Sequence, residues 1–265
     1  MLNSTTTNST LLPISIFIIT LNEAQHLGAV LASCRDFAEV IIVDSGSQDD
    51  TLTIAQQFGA TIYHQDFLGY AAQKDYARSL CRYEWVFNLD GDEVLTPGIV
   101  AYCREFIRHP TADALSFARR EFFLNRPLSP FTHRQQKCRL FRKNQAAYDL
   151  TNLVHETIQV TGTEQAVSLA FDHYGNNHIA IIASKNNRYA QQKAAEKFHK
   201  GRQAHRLKLI SIFPWTFFKS YCLRRYLFSG MRGFILAVLE AYYAFLKEAE
   251  LYERQQTHHT THHPQ

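Results

Sequence analysis

Short apolar runs alternate with helical patterns along the first hundred residues of the chain. Four runs rich in β-branched and aromatic residues predict strands, at 14–20, 40–43, 61–64 and 85–89. Between them, apolar positions recur every three or four residues and predict helices at 22–34, 49–58 and 69–80. Asn22 is the predicted N-cap of the first helix. Strands that alternate with helices in this way indicate the parallel βαβ units of an α/β fold.

The pattern changes after Pro97, where a helix is followed by several β-like runs. These runs predict a mixed sheet that extends the parallel one, and they cover 114–118, 138–141, 157–160 and 167–171. From Ile179 onward the chain is predicted to be helical and basic, with Pro214 as a break and a long apolar helix over 233–251. We therefore expect four regions: a flexible N-terminus over 1–12, a main α/β domain over 13–177, a helical region over 178–254 and a disordered polar tail over 255–265.

Composition and charge exclude several classes of protein. Hydrophobic residues make up 46% of the chain and charged residues 20%, unlike disordered or collagen-like proteins. The net charge is only +4, so any attraction to nucleic acid or anionic lipid must come from local clusters of cations. The five cysteines include no C-x-x-C pair, and we expect reduced, mostly buried thiols. The first ten residues lack Lys and Arg, so the apolar run after them lacks the basic flank of a signal peptide, which predicts a cytoplasmic location.

Polar residues follow three of the predicted parallel strands at the points where the strands end. They are residues 20–23, 44–47 and 90–93. Open α/β sheets bind ligands outside the carboxyl ends of their strands, so this edge of the sheet is the predicted site. The chain has neither G-x-G-x-x-G after the first strand nor G-x-x-x-x-G-K, which argues against a classical dinucleotide fold and a P-loop ATPase.

Within this set, Asp90, Gly91 and Asp92 form the motif that predicts a metal ion. Carboxylates at positions i and i+2 of a tight turn can share one divalent cation, with Gly91 relieving backbone crowding. Oxygen ligands suit Mg²⁺ or Mn²⁺ better than Zn²⁺, and such an ion can neutralise a departing diphosphate. An ordinary acidic turn is the alternative interpretation.

Three motifs in order resemble those of glycosyltransferase family 2, whose members have the GT-A fold. The motifs are Ile18-Ile19-Thr20-Leu21-Asn22-Glu23, Val43-Asp44-Ser45-Gly46-Ser47-x-Asp49 and Asn88-Leu89-Asp90-Gly91-Asp92-Glu93, and the resemblance covers roughly residues 14–160. A narrower similarity to the lipopolysaccharide inner-core glucosyltransferases of Gram-negative bacteria is carried by Leu140-Phe141-Arg142-Lys143, Val154-His155-Glu156 and the segment 230–253. The resemblance implies a GT-A-type α/β fold, with a mixed, mainly parallel sheet flanked by helices and followed by a C-terminal helical extension.

The resemblance assigns binding roles to residues at the strand ends. The positions that would contact the nucleotide-sugar are Thr20, Asn22, Glu23, Asp44, Ser45 and Asp90. Ser45 stands where many family members carry a second acid, so the chain departs from the family at its base and ribose contacts. Lys74, on the helix that faces the site, could offset phosphate charge, and a solvated helix lysine is the alternative.

Metal binding and proton abstraction are assigned to a second group of residues. Asp92 and Asp90 would hold Mg²⁺ or Mn²⁺, and His173 could complete the coordination sphere. Inverting sugar transfer is a single displacement in which a base takes the proton of the acceptor hydroxyl. Glu156 matches the family's base position and is the predicted base, whereas Glu93 would lie on the wrong side of the sugar.

A cation-rich segment near the C-terminus predicts contact with a membrane. No acidic residue occurs between Glu196 and Glu240, while that interval contains Lys197, Lys200, Arg202, Arg206, Lys208, Lys219, Arg224, Arg225 and Arg232. Residues 212–218 and 226–228 add aromatic and aliphatic side chains, as in a helix that lies in an anionic leaflet. RNA binding and a plain helical core are the alternatives.

These observations together predict a metal-dependent enzyme that acts on nucleotide sugars. We expect it to move a hexose, glucose in particular, from UDP to a lipid-linked saccharide acceptor, the inner-core heptose of lipopolysaccharide. It would act in the cytoplasm, on the anionic inner face of the membrane and without nucleic acid. Capsule, exopolysaccharide or protein acceptors are alternatives, as is a non-catalytic membrane-binding protein. Nucleotidyl transfer is disfavoured because the chain lacks a Gly-rich N-terminal loop with Arg.

Overall fold

The computed structural model describes residues 11–149, 158–175 and 178–262, the side chains of 258–262 excepted. The strands within these ranges are β1 (Leu12–Thr20), β2 (Phe37–Asp44), β3 (Thr61–His64), β4 (Trp85–Asp90), β5 (Glu93–Val94), β6 (Ala114–Phe123), β7 (Arg126–Pro127), β8 (Gln136–Arg142), β9 (Ala146–Tyr148), β10 (Ile158–Val160) and β11 (Glu164–His173). The α-helices are α1 (Ala24–Ser33), α2 (Thr51–Gln57), α3 (Tyr70–Leu80), α4 (Pro97–Phe106), α5 (Ile179–His199), α6 (Arg206–Phe218) and α7 (Gly230–His262). The predicted order of strands and helices is therefore confirmed across the first hundred residues.

One mixed sheet organises most of these strands. Its spatial order is β3-β2-β1-β4-β8-β6-β11-β5, with β7 paired to β6. Pairing is parallel between β1 and β2, β1 and β4, and β2 and β3. It becomes antiparallel from β4 to β8 and from β8 to β6. The fold class predicted from the sequence, a mainly parallel sheet extended by antiparallel strands, is confirmed.

Helices cover both faces of the parallel strands, which explains why those strands are apolar throughout. Ile14, Ile16 and Ile18 of β1 pack in one buried cluster with residues of α1, α2 and α4. Phe17, pointing to the opposite face, belongs to a second cluster that includes residues of α3 and β8. Because β1 is held from both sides, the loop that follows it starts from a fixed position.

The chain divides into two compact units. The sheet unit contains the described residues up to 120 together with 135–175, and the helical unit contains 121–134 and the described residues that follow 175. We had expected 121–134 to belong to the α/β domain. They join the helical unit because Phe123 and Leu128 pack with Ile182, and because Ser129 N donates to Ser229 Oγ over 2.9 Å.

The helical unit differs from the sequence prediction in two places. Pro214 lies inside α6 rather than breaking it. The helix persists across the lost backbone donor because the half-buried Phe217 packs on Phe234, with ring centroids 5.6 Å apart. Helix α7 continues to His262, past residue 254, and the side-chain amide of Gln255 bonds to Ala204 N and Arg202 O. None of the helices within the described residues has both the length and the apolar character needed to cross a bilayer.

Candidate active site

The loops that follow β1 and β2 are joined through the carboxylate of Asp44. Its Oδ1 accepts from Thr20 Oγ1 at 2.9 Å and from Ser47 Oγ at 2.5 Å, and its Oδ2 accepts from Gly46 N and Ser47 N, both at 2.8 Å. Burial acts to raise the pKa of Asp44, but the hydrogen bonds from Ser47, Gly46 and Thr20 together lower it below its usual range. Gly46 has a φ of 96°, which favours glycine at this turn. Asp44 therefore fixes the shape of the turn with both of its oxygens.

Asn22 ties the first loop to the second instead of capping α1. It has a left-handed backbone with φ of 57°, a conformation that Asn tolerates better than most residues. Its Oδ1 accepts from Gln48 N, and its own N donates to Ser47 Oγ, both over 2.8 Å. Glu23 N donates to Thr51 Oγ1 over 2.8 Å and Ala24 N donates to Asp49 Oδ2 over 3.1 Å, so the second loop, not Asn22, satisfies the start of α1. The prediction of Asn22 as a cap was wrong, because its side chain is engaged across the two loops.

Ser45 meets the buried side of α3 through Gln73. Gln73 Nε2 donates to Ser45 Oγ over 2.9 Å and to the carbonyl of Gln65 over 3.0 Å. Gln73 is fully buried, and its Oε1 has no hydrogen-bond partner among the residues that the structure describes. The position where many family members carry a second acid is thus filled here by a neutral serine–glutamine pair.

Asp90, whose side chain is 31% exposed, lies in a network of charges whose other members, Lys74, Arg139 and Glu93, are buried. Its Oδ1 accepts from Lys74 Nζ over 2.7 Å and its Oδ2 from Arg139 over 3.0 Å, and Arg139 also pairs with the fully buried Glu93. Burial opposes ionisation, but Lys74 and Arg139 outweigh it and hold the pKa of Asp90 well below its usual range. Burial is also the main influence on Glu93 and raises its pKa, against the effect of Arg139. Lys74 is only 2% exposed, so the interpretation as a solvated helix lysine was wrong.

Asp92 faces a different neighbour, His173. Asp92 Oδ2 lies 3.6 Å from His173 Nε2, and Tyr174 N donates to the carbonyl of Asp92 over 2.9 Å. A Cβ atom at Gly175 would collide with Asp92 Oδ2 and would lie 3.1 Å from His173 Nε2, so only glycine leaves room for this pair. One cation can contact a carboxylate and an imidazole at this spacing. Asp92 and His173 are therefore two candidate ligands of a divalent metal ion.

The predicted ligands do not form one group of three. Among the described residues, which include Asp90, Asp92 and His173, no cluster of three or more His, Cys, Asp or Glu side chains could hold a metal ion. Asp90 turns to Lys74 and Arg139, so it does not join Asp92 and His173 as we had expected. Glu156, the predicted base, lies outside the described residues.

Sequence reasoning missed two arginines that organise this edge of the sheet. Arg139 on β8 bridges Asp90 and Glu93 and stacks over the Phe171 ring at 5.2 Å. Arg120 on β6 makes a two-point contact with Asp172, the residue before His173, with one bond of 2.8 Å. A signal was available for Arg139, which interrupts the predicted apolar run 138–141, because a buried arginine must find an acid. Arg120 lies outside the predicted run 114–118 and had no such signal.

A mainly parallel sheet with an acidic carboxyl edge is the architecture of GT-A glycosyltransferases. The structure of TarS from S. aureus shares this fold with a TM-score of 0.50 at 14% identity, covering 91% of this chain and 54% of that one. Residues 15–168 match the profile described as Glycosyl transferase family 2. The chain belongs to glycosyltransferase family 2, and it is an enzyme of that family.

Curated relatives match along nearly the whole chain. An uncharacterised glycosyltransferase of Rickettsia felis is 32% identical over 259 residues, which is 91% of this chain and 89% of the relative. LpsC of Rhizobium meliloti, named a lipopolysaccharide core biosynthesis glycosyltransferase, is 32% identical over 253 residues, covering 92% and 93% of the two chains. The narrower resemblance seen in the sequence is therefore confirmed by a relative of that kind.

Proposed function

We propose that the protein transfers a hexose, glucose in particular, from a UDP-sugar to a lipid-linked saccharide, the inner-core heptose of lipopolysaccharide. The observation that carries this proposal is the pairing of Asp92 with His173 at the carboxyl edge of the sheet, beside the loops held by Asp44 and Asn22. The relationship to LpsC supports the choice of acceptor.

The donor lies, in this proposal, against the loops that follow β1, β2 and β4. Thr20, Glu23, Asp44 and Ser45 form the wall toward the nucleoside, and the exposed Asn22 meets it at the rim. Because the oxygens of Asp44 already accept four hydrogen bonds, Asp44 acts mainly by fixing the turn that the nucleoside meets. Lys74 and Arg139 neutralise Asp90 and Glu93, which keeps the local field from repelling a diphosphate.

Asp92 and His173 are the proposed metal ligands. A carboxylate with an imidazole fits Mn²⁺ better than Mg²⁺, whose protein ligands are almost always oxygens. The bound ion would supply Lewis-acid stabilisation of the departing nucleoside diphosphate. In the protein, Tyr174 N and the Arg120–Asp172 pair hold the end of β11 so that His173 stays beside Asp92.

Glu156 is the proposed base for an inverting displacement at the anomeric carbon. Glu156→Gln keeps the size and hydrogen bonding of the side chain but removes its ability to accept the proton. We expect donor binding to survive while transfer falls by roughly 10²–10⁴-fold, the usual contribution of a general base. Near-normal turnover in this variant would move the role to another residue, and His155 would be tested first.

The acceptor class is tested by a transfer assay with UDP-glucose, with and without Mn²⁺. The expected result is glucose transfer to a lipopolysaccharide inner-core acceptor and none to capsule, exopolysaccharide or protein acceptors. A thermal-shift screen of UDP-sugars run in parallel should show a higher midpoint only when Mn²⁺ is present, because a ligand that binds the native state stabilises it. Donor binding without transfer to the inner-core acceptor would overturn the proposed acceptor.

We further propose that the protein works as a peripheral protein on the inner face of the cytoplasmic membrane. A lipid-linked acceptor confines the reaction to a surface, and binding to that surface raises the local concentration of enzyme near acceptor. Those cations of the segment 197–239 that have no acidic partner among the described residues contribute by attracting anionic lipid.

A further inference from the structure

The exposed side of α6 is apolar. Residues 207, 210, 211, 214, 215 and 218 are all exposed, and their spacing of three or four places them on one side of the helix. The large apolar side chains among them have exposed fractions of 82%, 76%, 58% and 48%, and are Leu207, Ile210, Trp215 and Phe218. We call these four residues the α6 face. A helix on a water-exposed surface normally presents polar residues to the solvent. The exposed apolar side chains of the α6 face are instead typical of a surface that a membrane or a protein partner covers.

Packing within the helical unit uses the other side of α6. Phe217 is half-buried and contacts Tyr221 and Phe234, with ring centroids 5.4 and 5.6 Å apart. The alternative of a plain helical core therefore accounts for Phe217 and leaves the α6 face unexplained.

Internal ion pairs occupy about half of the cations in the basic segment. Lys197 and Lys208 both pair with Glu248, Lys200 pairs with Glu196 over 2.7 Å, and Arg224 pairs with Glu240 over 2.8 Å. Glu196 and Glu240 at the ends of the acid-free interval, together with Glu248 of α7, therefore neutralise these four cations.

The remaining cations lie around the α6 face in sequence. Arg232 donates to the carbonyls of Phe123, Arg126 and Pro127. Four exposed cations form no ion pair with any residue in the described part of the chain, and they are Arg202, Arg206, Lys219 and Arg225. Two of them, Arg206 and Lys219, flank the α6 face directly. An apolar stripe bounded by unpaired cations, in a stretch without acids, is complementary to an anionic bilayer.

We propose that the α6 face inserts into the headgroup and upper acyl region of an anionic membrane. This inference deepens the proposed function, on which it rests for the lipid-linked nature of the acceptor. Insertion of the α6 face supplies a salt-independent part of the binding, and the unpaired cations supply a salt-sensitive part. The interval 197–239 contains no acid, and Glu240 and Glu248 of α7, which reach it, are paired with its cations. The unpaired cations therefore suit an anionic bilayer better than a protein interface, whose rim normally carries charges of both signs.

The test is co-sedimentation with phosphatidylcholine vesicles, with and without phosphatidylglycerol, at low and high salt. Leu207→Ser with Ile210→Ser should lower vesicle binding by about tenfold or more at both salt concentrations, because apolar transfer is lost. Arg206→Gln with Lys219→Gln should lower it by about fivefold for each cation, on phosphatidylglycerol vesicles at low salt only. The matched control is Ile179→Ser with Ile181→Ser, which removes two exposed aliphatic side chains from α5.

The outcomes separate this proposal from its rivals. Equal binding of wild type and the Leu207/Ile210 variant, an equal loss in the α5 control, or no sedimentation of the wild type would each overturn it. A wild-type dimer in light scattering that becomes monomeric in the Leu207/Ile210 variant would assign the α6 face to a second copy of the chain. Transfer to a water-soluble acceptor should persist in that variant, so loss of vesicle binding with intact transfer separates the two proposals. Normal vesicle binding without transfer by the wild type would count against the proposed function alone.

Discussion

The two carboxylates of a single turn, Asp90 and Asp92, have opposite surroundings. Asp90 is part of a buried network in which Lys74 and Arg139 bind both of its oxygens. Asp92 pairs with His173 at 3.6 Å, in a space that exists because residue 175 is glycine. We propose that the two acids have different roles, with Asp92 binding the metal ion and Asp90 held by the two cations.

The difference shows how the charges of three neighbouring carboxylates can be compensated in a folded protein. Three carboxylates within four residues would repel one another and a diphosphate strongly if none were compensated. Lys74 and Arg139 neutralise Asp90 and Glu93. Because both cations and Glu93 are buried, only good geometry offsets the cost of their desolvation. Asp92 pairs with His173 rather than with either of these cations, and it is the acid that we propose binds the metal ion.

Removing the shared cation of the buried network should have the largest effect on stability. Arg139→Met leaves Glu93 buried without its partner, and we expect the free energy of unfolding to fall by about 3–5 kcal/mol. Urea denaturation measures this loss. Arg108→Met breaks an exposed pair with Glu105 and should change stability by less than about 1 kcal/mol. Equal stability of Arg139→Met and wild type would mean that the network does not hold the turn.

Filling the space beside Asp92 should weaken metal binding without unfolding the protein. Gly175→Ala displaces Asp92 from His173, and we expect Mn²⁺ affinity in the presence of UDP to drop about 10–100-fold, as for other residues that support metal ligands. Calorimetry gives the affinity. Gly28→Ala is the control, since its new methyl group meets only Ile54 at 3.9 Å and should stabilise α1 slightly. Unchanged Mn²⁺ affinity in Gly175→Ala would place the metal elsewhere.

A smaller effect is expected at Asp44, where the carboxylate holds a loop without neighbouring cations. Asp44→Asn should lower stability by about 1–2 kcal/mol at pH 6, because hydrogen bonds to a charged acceptor are lost. The folded-state pKa of Asp44 lies below its unfolded value near 3.9, so its contribution is full above that value and is lost as the pH falls through the folded pKa. The gap between variant and wild type in urea denaturation should therefore narrow toward pH 3 and below. A gap that stays constant with pH would show that the shape of the side chain, rather than its charge, stabilises the turn.

Local patterns were sufficient to predict most of the fold. The strands and helices up to α4 follow from alternating apolar runs, and the parallel pairing of β1, β2 and β4 follows from the helices between them. The pattern could not predict that 121–134 joins the helical unit, because that choice depends on contacts of Phe123 and Leu128 with residues far along the chain.

The sequence predicted that the candidate site lies at the strand ends, but it did not predict which charged side chains form ion pairs there. The position of Asp90 and Asp92 at the end of β4 was visible in the sequence, whereas the metal role of His173, which lies 3.6 Å from Asp92, stays a prediction. The ion pair between Asp90 and Arg139 could not be predicted, because Arg139 lies on β8, 49 residues later in the chain. The role of Glu156 stays a prediction.

The central claim is that Asp92, with His173, binds the metal ion and that Asp90 does not. The most direct measurement is calorimetric titration of Mn²⁺, in the presence of UDP, into wild type, Asp92→Asn and Asp90→Asn, with thermal melting to confirm that each variant is folded. The account predicts that Asp92→Asn abolishes measurable Mn²⁺ binding while folded Asp90→Asn retains it within a few-fold. Retained binding in Asp92→Asn together with loss in Asp90→Asn would contradict it.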